Sequence, residues 1–437
     1  MISDLHHLAT GTIRKHLFLA GIWVVSIALP VFLIARVGIQ FFTPPPSDRL
    51  LMERDIALPD AFPDPARTAQ NPFAPGVARS FDHFDFQVVD PQLHLLFLAH
   101  TGPNPDREHQ VNPHFDPEAD AKNDGNIIVF NTQQQKIVGL LPIPQVTGLT
   151  LDTDQHHVFA ADSNDNIIYD INEKTMRISP IMLQENDSPD GLAYDQIDHL
   201  VLVANPGSPA NPDETNAIER KNQNVTFINA RTGKVVGRVR LGIDGKWGDD
   251  VGHVRFDPQL HRVFVAVQQL PNPDSTDPNL TPPTGAAWLV SIDPLTMKVV
   301  QRLHLPDTCI TPHGLLIDPT VHIGFLACVD SNPASLIRID LQKMAVISEK
   351  PWIVESKPDM LAFDRTLHLL YVASASGLTV FQQKGRSFKW LGSYSFGVNM
   401  HSLAVNEQTH ELYIPLARMG GRPVLRIMRY NFEQYHD

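Results

Sequence analysis

Asp85, Asp190, His313, Asp359 and His401 share one offset in the sequence: each stands five residues ahead of an Asp or Asn that is followed, four positions later, by a His. Thr147 and Gly252 complete the set at the same offset, and His83 and His253 lie within two residues of it. If the offset brings these side chains together, the imidazoles of His313 and His401 and the carboxylates of Asp85 and Asp359 form a donor set for a divalent metal. Zn, Mn, Fe and Ca are the candidates. A metal with open positions can act as a Lewis acid or activate a bound water, and His83 or His253 would then serve as general base. Asp190, Thr147, Asp249 and Asp250 are candidate ligand-binding groups beside it. The same residues would equally suit a wet channel, where polar side chains satisfy loop backbone, or a site for an organic ligand.

The offset belongs to a repeat. Asp90 and His94, Asp152 and His156, Asp195 and His199, Asp257 and His261, Asp318 and His322, Asp364 and His368, and Asn406 and His410 each introduce an apolar-rich run. A unit that recurs seven times must stack on copies of itself to bury its apolar faces. One copy reads Gly314 to Pro319, His322 to Ala327, Leu336 to Asp340 and Met344 to Ile347, four β-rich runs between Asp, Pro and Gly turns. These are four antiparallel strands, A to D, of one propeller blade. Successive repeat histidines lie close to 43 or close to 62 residues apart, against ~40 to 45 for a typical blade. The predicted fold is therefore all-β, a seven-bladed propeller of four-stranded antiparallel blades, closed so that few strand edges are exposed. Strand A is innermost in such a blade, so the residues just before it ring the channel mouth. Blades 5, 6, 7 and 1 are consecutive around the ring, which places His313, Asp359, His401 and Asp85 on one arc. The seven turn histidines belong to the opposite face, where Asp caps its own turn and His bonds across blades.

Asn224 to Gly237 resembles the third strand, Thr-Gly turn and fourth strand of the YVTN-type β-propeller repeat, and similar stretches recur at Gly125 to Val138 and Trp288 to Val300. The likeness covers roughly Phe81 to Phe432. It implies a binding or scaffold role in the cell envelope, and propellers of similar appearance include lactonases, lyases and metal-dependent oxidoreductases. The turn His of every blade, the long insertions and the N-terminal apolar segment depart from the family pattern.

The rest of the chain bounds the setting. With 437 residues, 43% of them apolar, it can bury a large core, and a net charge of −13 with no basic stripe excludes a nucleic-acid partner. Leu17 to Ala35 carries no charge and follows Arg14 and Lys15. It suits one N-terminal transmembrane helix, a single-pass membrane anchor within residues 1 to 42, over a cleaved signal peptide. Residues 43 to 80 read as a Pro-rich spacer, and 81 to 437 as the propeller, expected to be extracytoplasmic and periplasmic. The positive-inside rule does not fix the orientation, because arginines flank both ends. Blade 7 lacks a fourth strand of its own, so residues just before Phe81 or the last few residues are expected to close the ring.

Insertions between strands B and C at Thr101 to Asp124, Pro206 to Asn222 and Gln269 to Gly285 would rise on the ring's face as pocket walls, with His109 and His114 in the first. Cys309 and Cys328 fold near one another across the A-to-B hairpin of blade 5, as a disulfide or as two buried thiols. Asp162 to Asn166, with Glu173 at the twelfth position, imitates a calcium loop but has Ile167 where that loop needs Gly. It reads as a polar B-to-C turn. Three functions remain open: a propeller binding a small-molecule or protein ligand at the Asp and His ring, a metalloenzyme using that ring, and an envelope interaction scaffold with its contacts on the loops.

Overall fold

The computed structural model describes residues 49–59, 82–103, 125–185, 187–209, 220–221, 223–242, 250–268, 287–347, 350–396, 400–419 and 422–431. Seven sheets form the blades. Strand A is Asp82–Asp90, Val146–Asp152, Leu192–Asp195, Val251–Asp257, Pro312–Asp318, Pro358–Asp364 and Ala404–Asn406 in blades 1 to 7. Each pairs antiparallel with strand B of its own blade. Each A strand touches the A strands of both neighbouring blades, blade 7 against blade 1 included, so the ring is closed.

Burial follows position in the blade. Strand B lies between two neighbouring blades, and Leu200–Asn205, Ile323–Cys328 and Leu369–Ser374 are buried at every residue. That explains their unbroken apolar character, as in any strand covered on both faces. Strand D is outermost, and Lys136–Leu141 alternates between exposed and half-buried until it ends on buried Leu141. The core consequently sits in the seams. Phe264 and Leu289 of blade 4 pack with Leu315, Leu326 and Ile337 of blade 5, and Phe325 of blade 5 packs with Leu361, Phe363 and Leu370 of blade 6.

All seven turn histidines adopt left-handed backbone, with φ between 50° and 61°. In the turn of blade 1, Asp90 Oδ1 accepts the N–H groups of Gln92 (2.7 Å) and Leu93 (3.1 Å). Its other oxygen faces His156 Nδ1 of blade 2 at 3.3 Å, and Asp364 Oδ2 likewise meets His410 Nδ1 of blade 7 at 2.7 Å. Asp90 and Asp364 therefore cap their own turns with one oxygen and bind the next blade with the other, whereas Asp195 Oδ2 and Asp257 Oδ2 have no hydrogen-bond partner.

Two expectations change and one open alternative is settled. Blade 7 is completed by Leu50–Ala57, which pairs with Arg422–Tyr430 from Leu50 opposite Tyr430 to Ala57 opposite Val424. The closing strand thus lies inside the stretch read as spacer, neither just before Phe81 nor at the C-terminus. Arg426 grips Asp55 with two bonds of 2.8 Å. In blade 5 the fourth strand is split into Ala345–Val346 and Trp352–Ile353, both paired with strand C. Cys309 and Cys328, open as thiols or disulfide from sequence, are disulfide-bonded, with Cα atoms 4.9 Å apart.

The segment Leu17 to Ala35 lies outside the described residues, among which no helix is long and apolar enough to cross a membrane. His109, His114 and most of the three insertions lie outside them too. Of the second insertion, Ser208–Pro209 and Arg220–Lys221 pair as a short ribbon. Ile167–Asn172 is strand C of blade 2, so Glu173 sits at the opposite end of a strand from Asp162 and the calcium-loop imitation dissolves.

Candidate metal centre

Five A strands carry a register shift where they pair with strand B: between Phe84 and Gln87, Val146 and Leu149, Val251 and Val254, Pro312 and Leu315, and Pro358 and Leu361. The residues skipped include Asp85, Thr147, His253, His313 and Asp359. A bulge leaves its extra residue out of the ladder and re-aims its side chain. For Asp85, His253, His313 and Asp359 that aim is into the cluster at the channel mouth. Asp190 and His401 precede their A strands and reach the same level from loop backbone.

Close packing of the bulges explains the glycines. A Cβ on Gly314 would collide with the carbonyl oxygen of Asp359, one on Gly148 with that of Asp190, and one on Gly252 would stand 2.5 Å from the carbonyl oxygen of His313. The ring residues of blades 3, 5 and 6 thus rest their carbonyls where the neighbouring blade has no side chain.

Asp359 is the centre of the cluster. His401 Nε2 lies 3.0 Å from its Oδ2, and His253 Nε2 and His313 Nε2 lie 3.6 and 3.8 Å from its Oδ1. Asp359 is 8% exposed, and its Oδ1 has no hydrogen-bond partner. His401 Nε2 also stands 3.9 Å from Asp85 Oδ1, and its ring lies 4.7 Å from that of His83. Two groups of donor atoms, His83, Asp85 and His401, and His253, His313 and Asp359, are each gathered within 4.8 Å.

Supporting contacts fix the rings. Gln268 Nε2 lies 3.0 Å from His313 Nδ1. The Leu315 N–H and Arg255 Nη2 both donate toward His253 Nδ1, each at 3.3 Å. That leaves the His253 proton on Nε2, facing Asp359. Phe86 lies against the His253 ring with centroids 4.6 Å apart.

The charges separate the residues. Burial would raise Asp359, but His401 and His313 outweigh it and hold the carboxyl well below the usual range. His401 rises to about 9 because Asp359 overcomes the effect of burial, and His313 is raised by Asp359, Asp190 and Asp250 against burial. Burial and His401 push His83 down to about 3, and burial and Arg255 push His253 well below its ordinary value. The approach of neutral His253 to Asp359 is therefore no ion pair. Burial lifts Asp85 to about 6 and, with the charge of Asp85 added, Asp190 to about 7.

The structure thus brings together Asp85, Asp190, His313, Asp359 and His401 with His83 and His253. Thr147 turns aside, donating its hydroxyl to the Pro189 carbonyl at 3.3 Å. Asp250 caps the start of its strand, accepting the Val251 N–H at 2.8 Å, and Asp249 lies outside the described residues. Sequence reading missed Arg255 and Gln268. Period-two alternation from His253 could have placed Arg255 on the channel side, whereas Gln268, at the end of strand B, carries no such signal.

No protein-family model matches this chain, nor does any curated protein. The resemblance to YVTN-type repeats is left without a family-level match. Solved structures match in shape. A hydrazine synthase chain from Kuenenia stuttgartiensis superposes with a TM-score of 0.55 at 11% identity, over 80% of this chain and 96% of that one. The RRP9 WD40 repeats give 0.56 at 11%, over 89% and 99%, and a chain of the mitotic checkpoint complex gives 0.58 at 8%, over 89% and 95%. At such identities the likeness establishes the propeller fold alone.

Proposed function

We propose that this protein is a cell-envelope propeller that binds a divalent transition metal at its channel mouth. The observation that carries the proposal is the buried Asp359 carboxylate, whose Oδ1 has no hydrogen-bond partner while three imidazole Nε2 atoms from blades 4, 5 and 7 surround it. The His313 separation of 3.8 Å is long for a hydrogen bond. With the 3.0 Å of His401 it brackets the roughly 3.0 to 3.6 Å expected between two ligands that share one metal at ~2.0 to 2.2 Å.

In this reading His313, His401 and Asp359 are the ligands, with Asp85 and His83 on the far side of His401. A Gln amide can present its oxygen as well as its N–H. Turned so, Gln268 would accept the Nδ1 proton of His313 and leave Nε2 for the metal. His253, with its proton on Nε2, serves better as a donor holding Asp359 than as a general base, and neutral His83 is the remaining base. Asp190, protonated up to about pH 7, and Asp250 would meet a small oxygen-rich ligand at the open positions. Whether lactonase, lyase or redox chemistry follows depends on the metal.

Leu17 to Ala35 would tether the propeller to a membrane through residues 36 to 49. The Cys309–Cys328 bond favours the extracytoplasmic side, since disulfides persist in oxidising compartments. A second reading rests on the 3.0 Å His401–Asp359 pair: a ring that neutralises itself without metal and only lines a wet channel.

The test is metal analysis of the full chain purified without chelator. We expect a bound transition metal whose amount falls by one equivalent in the His313→Ala, His401→Ala double variant. Identical metal content in the two chains after incubation with Zn, Mn, Fe and Ca would leave the self-neutralised channel.

A further inference from the structure

The face opposite the ring has an internal control for what belongs between its carboxylates. At the end of strand C, the residue whose N–H bonds the carbonyl of the blade's turn His is Thr132, Glu173, Ala230, Leu341 or Gln383 in blades 1, 2, 3, 5 and 6. In blade 6 that residue completes the seam: Gln383 Nε2 donates to Oδ2 of Asp318, the repeat Asp of blade 5, at 2.6 Å. In blade 2 the same position holds Glu173, facing Asp90, the repeat Asp of blade 1. A carboxylate thus stands where its counterpart supplies a donor.

Glu173 is 1% exposed, no N–H or O–H donor meets either of its carboxylate oxygens, and its only polar neighbour in hydrogen-bonding reach is the Asp90 carboxylate, itself an acceptor. Asp90 is fully buried, with Oδ1 committed to its turn and Oδ2 facing His156 Nδ1 at 3.3 Å. One donor atom from each of Asp90, His156 and Glu173 lies within 4.8 Å of the others. Burial first and the charge of Asp90 second push the Glu173 carboxyl up to about 8, and Lys174, the neighbour that opposes this, is itself exposed. A single shared proton would satisfy one oxygen here. A divalent cation would engage Asp90 Oδ2, both oxygens of Glu173 and the imidazole together.

We propose that Asp90, His156 and Glu173 form a second divalent-cation site, of mixed nitrogen and oxygen donors suited to Zn or Mn, which clamps blade 1 to blade 2 on the face away from the ring.

The experiment uses the full chain, stripped with chelator, in four forms: wild type, the His313→Ala, His401→Ala ring variant, Glu173→Gln, and the combination. Zn²⁺ and Mn²⁺ alone are the probes, read by isothermal titration and by Tm. The ring variant should bind one equivalent and gain roughly 3 to 5 °C in Tm at a hundredfold excess over Kd, and Glu173→Gln should remove both effects. If the ring variant fails to fold, wild type against Glu173→Gln must still differ by one equivalent. Glutamine already fills this position in blade 6, so the substitution is compatible with the seam. The proposal is overturned if Glu173→Gln binds as many equivalents as its parent, or if it raises the metal-free Tm and no cation effect existed to lose, the behaviour of a carboxyl pair sharing a proton. Failure of the ring site alone would show as an equivalent unaffected by His313→Ala, His401→Ala and still removed by Glu173→Gln.

Discussion

Asp359 and His401 set each other's charge, and metal binding would have to part them. His401 keeps its proton up to about pH 9, against 6.5 in an unfolded chain. The folded, metal-free protein therefore binds more protons than the unfolded chain between those values, and stability must fall as pH rises through them. Asp85 and Asp190, raised to about 6 and about 7, push in the same direction at lower pH. We expect the Tm of metal-free protein to decline from pH 6 to 9, while metal affinity climbs by up to about tenfold per pH unit as the displaced proton becomes easier to lose. Titrations at pH 7, 8 and 9 check this, and a flat affinity would exclude His401 as a ligand. Gln268 touches only the outer nitrogen of His313, so Gln268→Ala should weaken metal binding by roughly 10- to 100-fold with little change in the metal-free Tm. The ring residues were legible because a fixed offset from a repeated Asp survives any loop insertion. Gln268 was not, because a buried amide at a strand end resembles any polar strand terminus.

Strand A delivers these side chains through its bulge, and the bulges nest because glycine follows or occupies the ring position. Gly314→Ala would drive a methyl into the Asp359 carbonyl. Backbone cannot yield as a side-chain tip can, so we expect a loss of about 2 to 4 kcal/mol or an insoluble chain. Gly139→Ala, where the new atom would meet Val129 Cβ at an ordinary 3.6 Å, should stay within about 0.5 kcal/mol. Denaturant midpoints of the two variants separate close approach from a general cost of replacing glycine. The four-strand rhythm of each blade was readable from apolar runs and turns, down to Pro312-His313-Gly314. The bulge was not, because an extra residue in a ladder depends on what the partner strand does. The split fourth strand of blade 5 escaped for a related reason: an outer strand packs on one side only, and little in its composition is constrained.

At the scale of the whole molecule, closure depends on Leu50–Ala57. Its residues are exposed from Leu51 to Asp55, so no apolar alternation betrays it, and the prolines around it suggest a spacer. Its evidence is positional: seven of its eight residues paired along the open edge of Arg422–Tyr430. A chain beginning at Asn71 should lose this strand, expose that edge and associate or aggregate, whereas one beginning at Asp48 should remain monodisperse. Light scattering on the two checks the difference, and equal behaviour would mean that the strand is dispensable. The same pairing orders events during synthesis. Asp55 and its partner Arg426 are 371 residues apart. At ~5 to 20 residues per second, Leu50–Ala57 waits roughly 20 to 75 s for its partner strand. The six preceding blades can assemble meanwhile, and the circle cannot shut on a nascent chain before Arg422–Tyr430 has been made.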